Sequence, residues 1–185
     1  MKKIVLLAFC VLSFSAVSQA QNLKFGHINT NELIGLMSER DSAIVKLQAY
    51  QDDLVETLQS METEYNNKLN EYQRRRNEWT PVVIETKERE LGELGQRMQQ
   101  FQQNAQQEMA QMQQVLMTPV IEKAQDAITK VSKSHNLVYV FDLSAGALIY
   151  FDDSVSLDLL PLVKKELGIP AEKVAPSQIG AAVQQ

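Results

Sequence analysis

Two stretches of this chain carry apolar residues at alternating steps of three and four, and a proline separates them. The first stretch covers residues 44–79 and the second covers residues 91–115. Apolar residues that repeat every 3.5 residues stay on one face only when helices wrap around each other. Thr80 can cap a new helix that Pro81 begins, whereas a proline inside a continuous helix is costly. The pattern therefore predicts two helices in a long antiparallel coiled-coil hairpin.

The two stretches can be aligned, because facing residues of an antiparallel hairpin have residue numbers with a constant sum. Leu58 and Phe101 give 159, and five further apolar pairs give the same value. The polar interruptions Gln51 and Glu108 also sum to 159, which predicts one polar layer and an apex at residues 79–80. A slip of seven residues would separate that layer and displace the turn. The predicted seam residues are Ile44, Leu47, Leu54, Leu58, Met61, Tyr65, Leu94, Met98, Phe101, Met112 and Val115.

The predicted hairpin arm spans residues 34–134. Its first helix runs from about Thr30 to Asn77 after a cap at Asn29, and its second helix runs from Pro81 to about Ser134. We expect Pro119 to bend or break the second helix near its base. At 1.5 Å per residue, arms of roughly 40–50 residues would be about 60–75 Å long.

Apolar segments on either side of the arm predict a small β body made of residues 21–33 and 135–170. The predicted strands are 23–28, 137–141 and 147–151. Since these strands are apolar on both faces, a single copy would expose sheet edges and apolar surface. Several copies could pool their strands into a closed β-barrel. The residues that we assign to this oligomeric body are Phe25, Ile28, Val138, Val140, Leu148 and Tyr150.

The end of the body is predicted to be a short helix. Ser154 or Ser156 can cap this helix, which runs through Leu167, and Gly168 supplies a stop signal. Residues 171–185 are small and polar and are expected to form a loose tail.

The first 20 residues have the pattern of an export signal. Two lysines precede an apolar run at 4–17, and small residues then predict cleavage after Ala20. The run is too short to favour a transmembrane anchor. Lipidation of Cys10 is a weaker alternative, because Phe9 stands where a small residue is needed. We therefore expect the mature protein to be exported from the cytoplasm.

Composition excludes several classes of function. Loss of residues 1–20 changes the net charge from −5 to −7, which argues against nucleic-acid binding. No phosphate loop or dinucleotide pattern is present, so no cofactor is predicted. His27 and His135 lack a nucleophile or a metal-ligand partner at a telling spacing. We predict no catalytic or metal site, and hence no enzyme.

The predicted apex combines basic and aromatic residues. Arg74, Arg75 and Arg76 could contact an acidic partner or an anionic headgroup, although Glu71 and Glu78 favour a solvated tip. The sequence leaves two alternatives open for the tryptophan at position 79. It could reach partners or support peripheral membrane contact at the arm tip, or it could pack over the turn.

The order of these elements resembles the Skp (OmpH-like) family of periplasmic chaperones. The resemblance rests on the strand Phe25-Gly26-His27-Ile28-Asn29, the inserted hairpin, the returning strands and the segment 154–164. It implies a homotrimer with a small β-barrel body, whose helical arms enclose a cavity that holds unfolded outer-membrane proteins without ATP. Best-known members are strongly basic, whereas this chain is acidic, so no lipopolysaccharide site is transferred.

Within that resemblance, adaptable apolar side chains off the seam are candidate client contacts. We assign this role to Met109, Leu116 and Met117, and to Trp79 at the apex. The alternative function is a structural coiled-coil spacer or assembly adaptor of the cell envelope.

Overall fold

The computed structural model describes residues 23–175, which form a mainly helical chain with one small parallel sheet. This confirms the prediction of a mainly α protein with a small β part. The predicted export signal and residues 176–185 lie outside the described residues. The elements, in chain order, are β1 (Lys24–Ile28), α1 (Thr30–Leu36), α2 (Ser38–Arg75), α3 (Pro81–Ser134), β2 (Leu137–Asp142), β3 (Ser156–Asp158) and α4 (Leu160–Glu166).

The sheet has the order β2-β1-β3, and both outer strands run parallel to β1. Gly26 lies buried at the centre of β1, between side chains of its neighbours. A Cβ atom there would collide with Leu159 Cδ1 and would lie 2.8 Å from Leu137 Cδ1. The central strand therefore needs a glycine for packing, although nothing in its backbone conformation requires one.

The predicted strand at 147–151 is wrong for the single chain, since these residues form no strand. Both edges of β1 are already occupied, one by β2 and the other by residues 156–158. Residues 147–151 do not pair with the outer edge of β2 or of β3 either, and they stay irregular. Ile149 is 99% exposed and Tyr150 is 79% exposed.

The prediction of one continuous first helix is also wrong, because the helix breaks at Met37. Asn29 caps α1 as predicted, with its side chain accepting a hydrogen bond from the backbone N–H of Glu32. Met37 then has extended backbone (ψ 132°) before α2 begins. Leu36 and Met37 are consecutive and both fully buried. A continuous helix would point their side chains about 100° apart, so the break lets both enter the core.

The long helices α2 and α3 contact each other, with residue numbers rising in one helix as they fall in the other. The Tyr50 hydroxyl donates a hydrogen bond of 2.7 Å to Glu108 Oε2. Lys68 Nζ lies 3.7 Å from Glu90 Oε2. These numbers sum to 158 in each case, within one of the predicted 159. A 3₁₀ turn at Arg76–Glu78 leads from α2 to the apex.

The C-terminal part of α3 packs against β1 and the short helices and contributes much of the core. Val120, Ala124, Ala127 and Val131 recur at helical spacing and are all buried. They pack in one cluster with Ile28 of β1 and with apolar residues of α1 and α4. Helix α3 continues through the proline at 119, so the break considered there does not occur.

The beginning of α4 differs from the prediction, because Ser156 lies in β3 instead of capping a helix. Asp158 supplies the capping contact, since its Oδ1 accepts a 2.9 Å hydrogen bond from Leu160 N–H. Gly168, with a φ of 68°, follows the end of α4 as predicted. Beyond it, Ala175 is buried against the body.

Candidate functional site

The two histidines have local structural partners. His27 Nδ1 lies 2.9 Å from Ser156 Oγ, and its ring lies 4.5 Å from that of Phe151. His135 Nδ1 lies 2.9 Å from the carbonyl oxygen of Val131, at the end of α3. Within residues 23–175, no group of three or more His, Cys, Asp or Glu side chains is placed to hold a metal ion.

An apolar groove lies between α2 and α3 at about half their length, with a volume of about 510 Å³. We call it the mid-arm groove. Leu54, Val55 and Leu58 contribute from α2, while Phe101 and Met109 contribute from α3. Val55 is 46% exposed, so apolar surface remains open to solvent there.

The structure does not bring the four candidate contact residues together. Met109 lines the mid-arm groove. Leu116 lines a separate hollow of about 460 Å³ at the base of the helix pair, beside Ala43 and Val120. Met117 is half-buried and lines neither of these hollows. Trp79 is at the opposite end of α3.

Trp79 packs over the apex turn. Its ring centroid lies 6.1 Å from that of Tyr72, and the Arg75 guanidinium carbon lies 5.6 Å from the Trp79 ring centroid. A cation over an aromatic face is a stabilising contact. Arg75 also forms ion pairs with Glu71 and Glu78, so its charge is paired with residues near the apex. The exposed apolar residues at this end are Val82 and Val83.

Burial along the predicted seam falls toward the base of the helix pair. Leu94 is buried and eight other seam residues are half-buried. Ile44 and Val115 are 42% and 60% exposed, and Ala43 is buried in their place. The exposure of these two predicted seam residues has a geometric cause, because an ideal α-helix drifts by about 20° per heptad from a 3.5-residue repeat.

The body presents a second apolar surface on its sheet. Phe25 stacks on Tyr139 with ring centroids 6.4 Å apart, and Phe141 lies at the same distance from Tyr139. Val138, Tyr139 and Phe141 are exposed in the single chain. Of the other residues assigned to the oligomeric body, Ile28 is buried, whereas Val140 and Leu148 are half-buried. Tyr139 and Phe141 therefore leave contiguous aromatic surface open to solvent in the single chain.

Two carboxylates have their pKa values lowered by hydrogen bonds, one within the helix pair and one within the body. Lys123 on α3 forms an ion pair with Glu39 on α2, and its hydrogen bond lowers the pKa of Glu39. Asp142 accepts hydrogen bonds from Thr30 and Ser144. Burial alone would raise the pKa of Asp142, but these hydrogen bonds outweigh burial and lower it.

Two exposed residues, Val55 and Tyr139, were not predicted from the sequence. Val55 follows the seam residue Leu54, and an apolar residue directly beside a heptad position is a signal for a second apolar stripe. Tyr139 lies in a strand that is apolar at almost every position. Such a pattern does not reveal which face a single chain leaves uncovered.

Comparison with protein-family models shows the family of this chain. The family model for "Outer membrane protein (OmpH-like)" matches residues 24–167. The fold is similar to a crystal structure of an OmpH-like candidate outer membrane chaperone from Caulobacter crescentus CB15. The TM-score is 0.67 at 14% identity, and the match covers 78% of this chain and 83% of that one. No curated protein sequence matches this chain significantly.

Proposed function

The chain belongs to the OmpH-like family, and we propose that it is an ATP-independent periplasmic holdase for unfolded outer-membrane proteins. In this proposal, clients are held in a cavity between the helical arms of a homotrimer. The observation that carries it is the exposed apolar groove between two long helices that extend from a small body. A holdase needs many weak apolar contacts, and it needs no reactive group.

The exposed surface of the body supports the homotrimer. Tyr139 and Phe141 form an uncovered aromatic cluster, and the apolar segment 147–151 has no strand partner among residues 23–175. Neighbouring copies could supply the missing strand edges and close a barrel. The proposal predicts three times the monomer mass in light scattering, and Tyr150→Asp should shift the protein toward monomer.

The coiled-coil register of the arm is part of the same proposal. Its support is the agreement between the cross-helix contacts and the predicted sum. The Tyr72–Glu88 hydrogen bond gives 160, and Lys68 with Glu90 gives 158. The arm boundaries at residues 34 and 134 remain proposals as well.

Export to the periplasm rests on the first 20 residues. The lysine pair, the apolar run and the small residues before position 21 support cleavage after Ala20. No helix among residues 23–175 is long and apolar enough to cross a membrane. Mass spectrometry of the protein recovered from the periplasm would give the new N-terminus, which we expect at Gln21.

The holdase proposal can be tested with purified protein lacking residues 1–20. An unfolded outer-membrane β-barrel protein, diluted from urea, should remain soluble at near-stoichiometric ratio, and addition of nucleotide should not change the result. Light scattering at micromolar concentration measures both the oligomer and the aggregation. Aggregation of the client in the presence of a correctly folded oligomer would refute the proposal.

The alternative is a structural coiled-coil spacer or assembly adaptor of the envelope. The long helix pair supports this function equally well, but the exposed Val55 and Met109 surface has no role in it. The alternative predicts one folded partner and no protection of unfolded clients. The solubility experiment therefore separates the two functions.

Peripheral membrane contact at the arm tips is a separate proposal. Its support is that Arg74, Arg76 and Val82 are exposed at the apex. Sedimentation with anionic vesicles should fall for Arg74→Gln combined with Arg76→Gln. Equal sedimentation of the variant and the original protein would exclude this contact.

A further inference from the structure

The mid-arm groove is lined by nine residues, and none of them carries a charge. This is unusual for the chain, in which 22% of residues are charged. The nearest carboxylate in sequence to the groove residue Met109 is Glu108. Its Oε2 accepts a hydrogen bond from the Tyr50 hydroxyl, and neither residue lines the groove.

The rim of the groove is formed by side-chain amides. Gln51, Gln102 and Gln106 line it together with the apolar residues of its floor. A glutamine amide both donates and accepts hydrogen bonds. The groove thus offers an apolar floor with amide groups beside it, a combination that suits a polypeptide backbone with an apolar side chain.

A second hollow on α3 provides a contrast. It is lined by Glu93 and Arg97 together with Gln96, Gln99, Gln100 and Gln103, and it contains no apolar side chain. Both surfaces lie on the long helix pair and both contain glutamines. They differ in the apolar floor and in charge, which makes the second hollow a matched control.

We propose that the mid-arm groove is a docking site for one uncharged aromatic or aliphatic side chain of an extended polypeptide segment, with the glutamine amides bonding to its backbone. The proposal rests on the holdase function above and specifies which feature of a client is recognised. Complementarity argues for this occupant, because a charged side chain would lose its hydration in the groove without meeting a counter-charge. The volume of about 510 Å³ accommodates a large side chain.

The mechanism predicts a salt response. Because the lining residues are uncharged, the affinity for an uncharged segment should change by less than about twofold between about 50 and 500 mM salt. Binding of a client would then not depend on attraction between opposite charges. This chain is acidic and is therefore poorly suited to attract acidic clients.

The test uses the complete mature oligomer and a dye-labelled peptide of alternating Tyr and Ser, with fluorescence anisotropy as the readout. Peptides with Asp or Lys in place of every Tyr serve as probes of specificity. We expect Met109→Lys to weaken binding of the Tyr peptide about tenfold, while Gln103→Lys in the control hollow changes it by less than about twofold. Val55→Lys places the same charge at a half-exposed position and should repeat the loss without depending on core packing.

Each result has a defined meaning. Equal binding by Met109→Lys, Val55→Lys and the original protein would overturn the groove assignment, as would equal affinity for the Asp peptide. A changed oligomer mass in both variants would identify the groove as a contact between copies and also overturn it. If the original protein binds the Tyr peptide and fails to keep an unfolded barrel protein soluble, the holdase function fails and the groove remains a peptide site.

Discussion

Thr30 Oγ1 donates a hydrogen bond of 2.6 Å to Asp142 Oδ2, and this contact joins the first residue of α1 to the last residue of β2. Asp142 Oδ1 also accepts hydrogen bonds from the backbone N–H groups of Thr30 and Ser144. One carboxylate therefore fixes the point at which the chain leaves the sheet for the helices. The junction holds the start of α1 against the end of β2.

We predict that Asp142→Asn destabilises the protein by about 1–3 kcal/mol, because an amide cannot replace both acceptor oxygens toward these donors. Urea unfolding followed by circular dichroism measures the free energy of unfolding. Asp153→Asn, an exposed position nearby in sequence, should change it by less than about 0.5 kcal/mol. Equal effects of the two substitutions would contradict the assigned role of Asp142.

The same carboxylate predicts a pH dependence. Its pKa is lower in the folded protein than in the unfolded chain, so its contribution is present above the unfolded pKa, near pH 4. That contribution is lost as the pH falls through the folded pKa. The stability difference between the original protein and Asp142→Asn should therefore shrink between about pH 5 and pH 2. A difference that stays constant over this range would exclude the linkage.

Periodicity and one proline were sufficient to predict two long helices that meet near residue 79. These signals lie within each helix, and the heptad spacing predicts how the two helices align with each other. The strand predicted at 147–151 failed for a different reason. A strand forms only where it pairs with a neighbour, and the sequence does not reveal that residues 156–158, and not 147–151, pair with the second edge of β1.

The break at Met37 could not be predicted from the sequence either. The same N-cap can begin one long helix or a short helix that is followed by a second one. What decides between them is the burial of Leu36 and Met37 in a core contributed by distant segments. Part of the mid-arm groove could be predicted, since Leu54 and Phe101 are seam residues by spacing and Met109 is a candidate client contact off the seam. Its uncharged lining emerges only when α2 and α3 are placed side by side.

Gly26→Ala should destabilise the body by about 1–3 kcal/mol, since the added methyl group collides with Leu159 across the sheet. Thermal unfolding provides the measurement. Gly92→Ala is the matched control, because a Cβ there meets nothing within 4 Å. A glycine in a helix interior is unfavourable relative to alanine, so Gly92→Ala should stabilise the protein by about 0.5–1 kcal/mol. A neutral Gly26→Ala would refute the packing argument.

The predicted register can be tested with engineered disulfides, because the natural cysteine at position 10 lies within the predicted signal. Leu54→Cys combined with Ala105→Cys places thiols at positions whose numbers sum to 159. We expect oxidation to link them, since facing seam residues can approach the Cβ separation of about 4 Å that a disulfide needs. Mobility on a non-reducing gel and intact mass report the bond.

The control for that pair is Leu54→Cys with Met98→Cys, which represents a slip of seven residues. In the predicted register these two thiols are about 10 Å apart along the helix axis and should remain reduced. Preferential oxidation of the slipped pair would show that the register is wrong. Oxidation of both pairs to the same extent would indicate that the helices slide.

Lys164 is the buried charged residue of α4, and its ammonium group is held by the segment that follows the helix. Nζ donates hydrogen bonds to the carbonyl oxygens of Ala171 at 2.6 Å and Lys173 at 2.8 Å. Lys164→Met removes both donors and leaves the two carbonyl groups without these partners. We predict a loss of about 1–3 kcal/mol, together with faster amide exchange in residues 169–175 than in β1. Lys165→Met, at an exposed position, should leave exchange unchanged. If Lys164→Met does not accelerate exchange in this segment, the ammonium group does not hold the segment against the body.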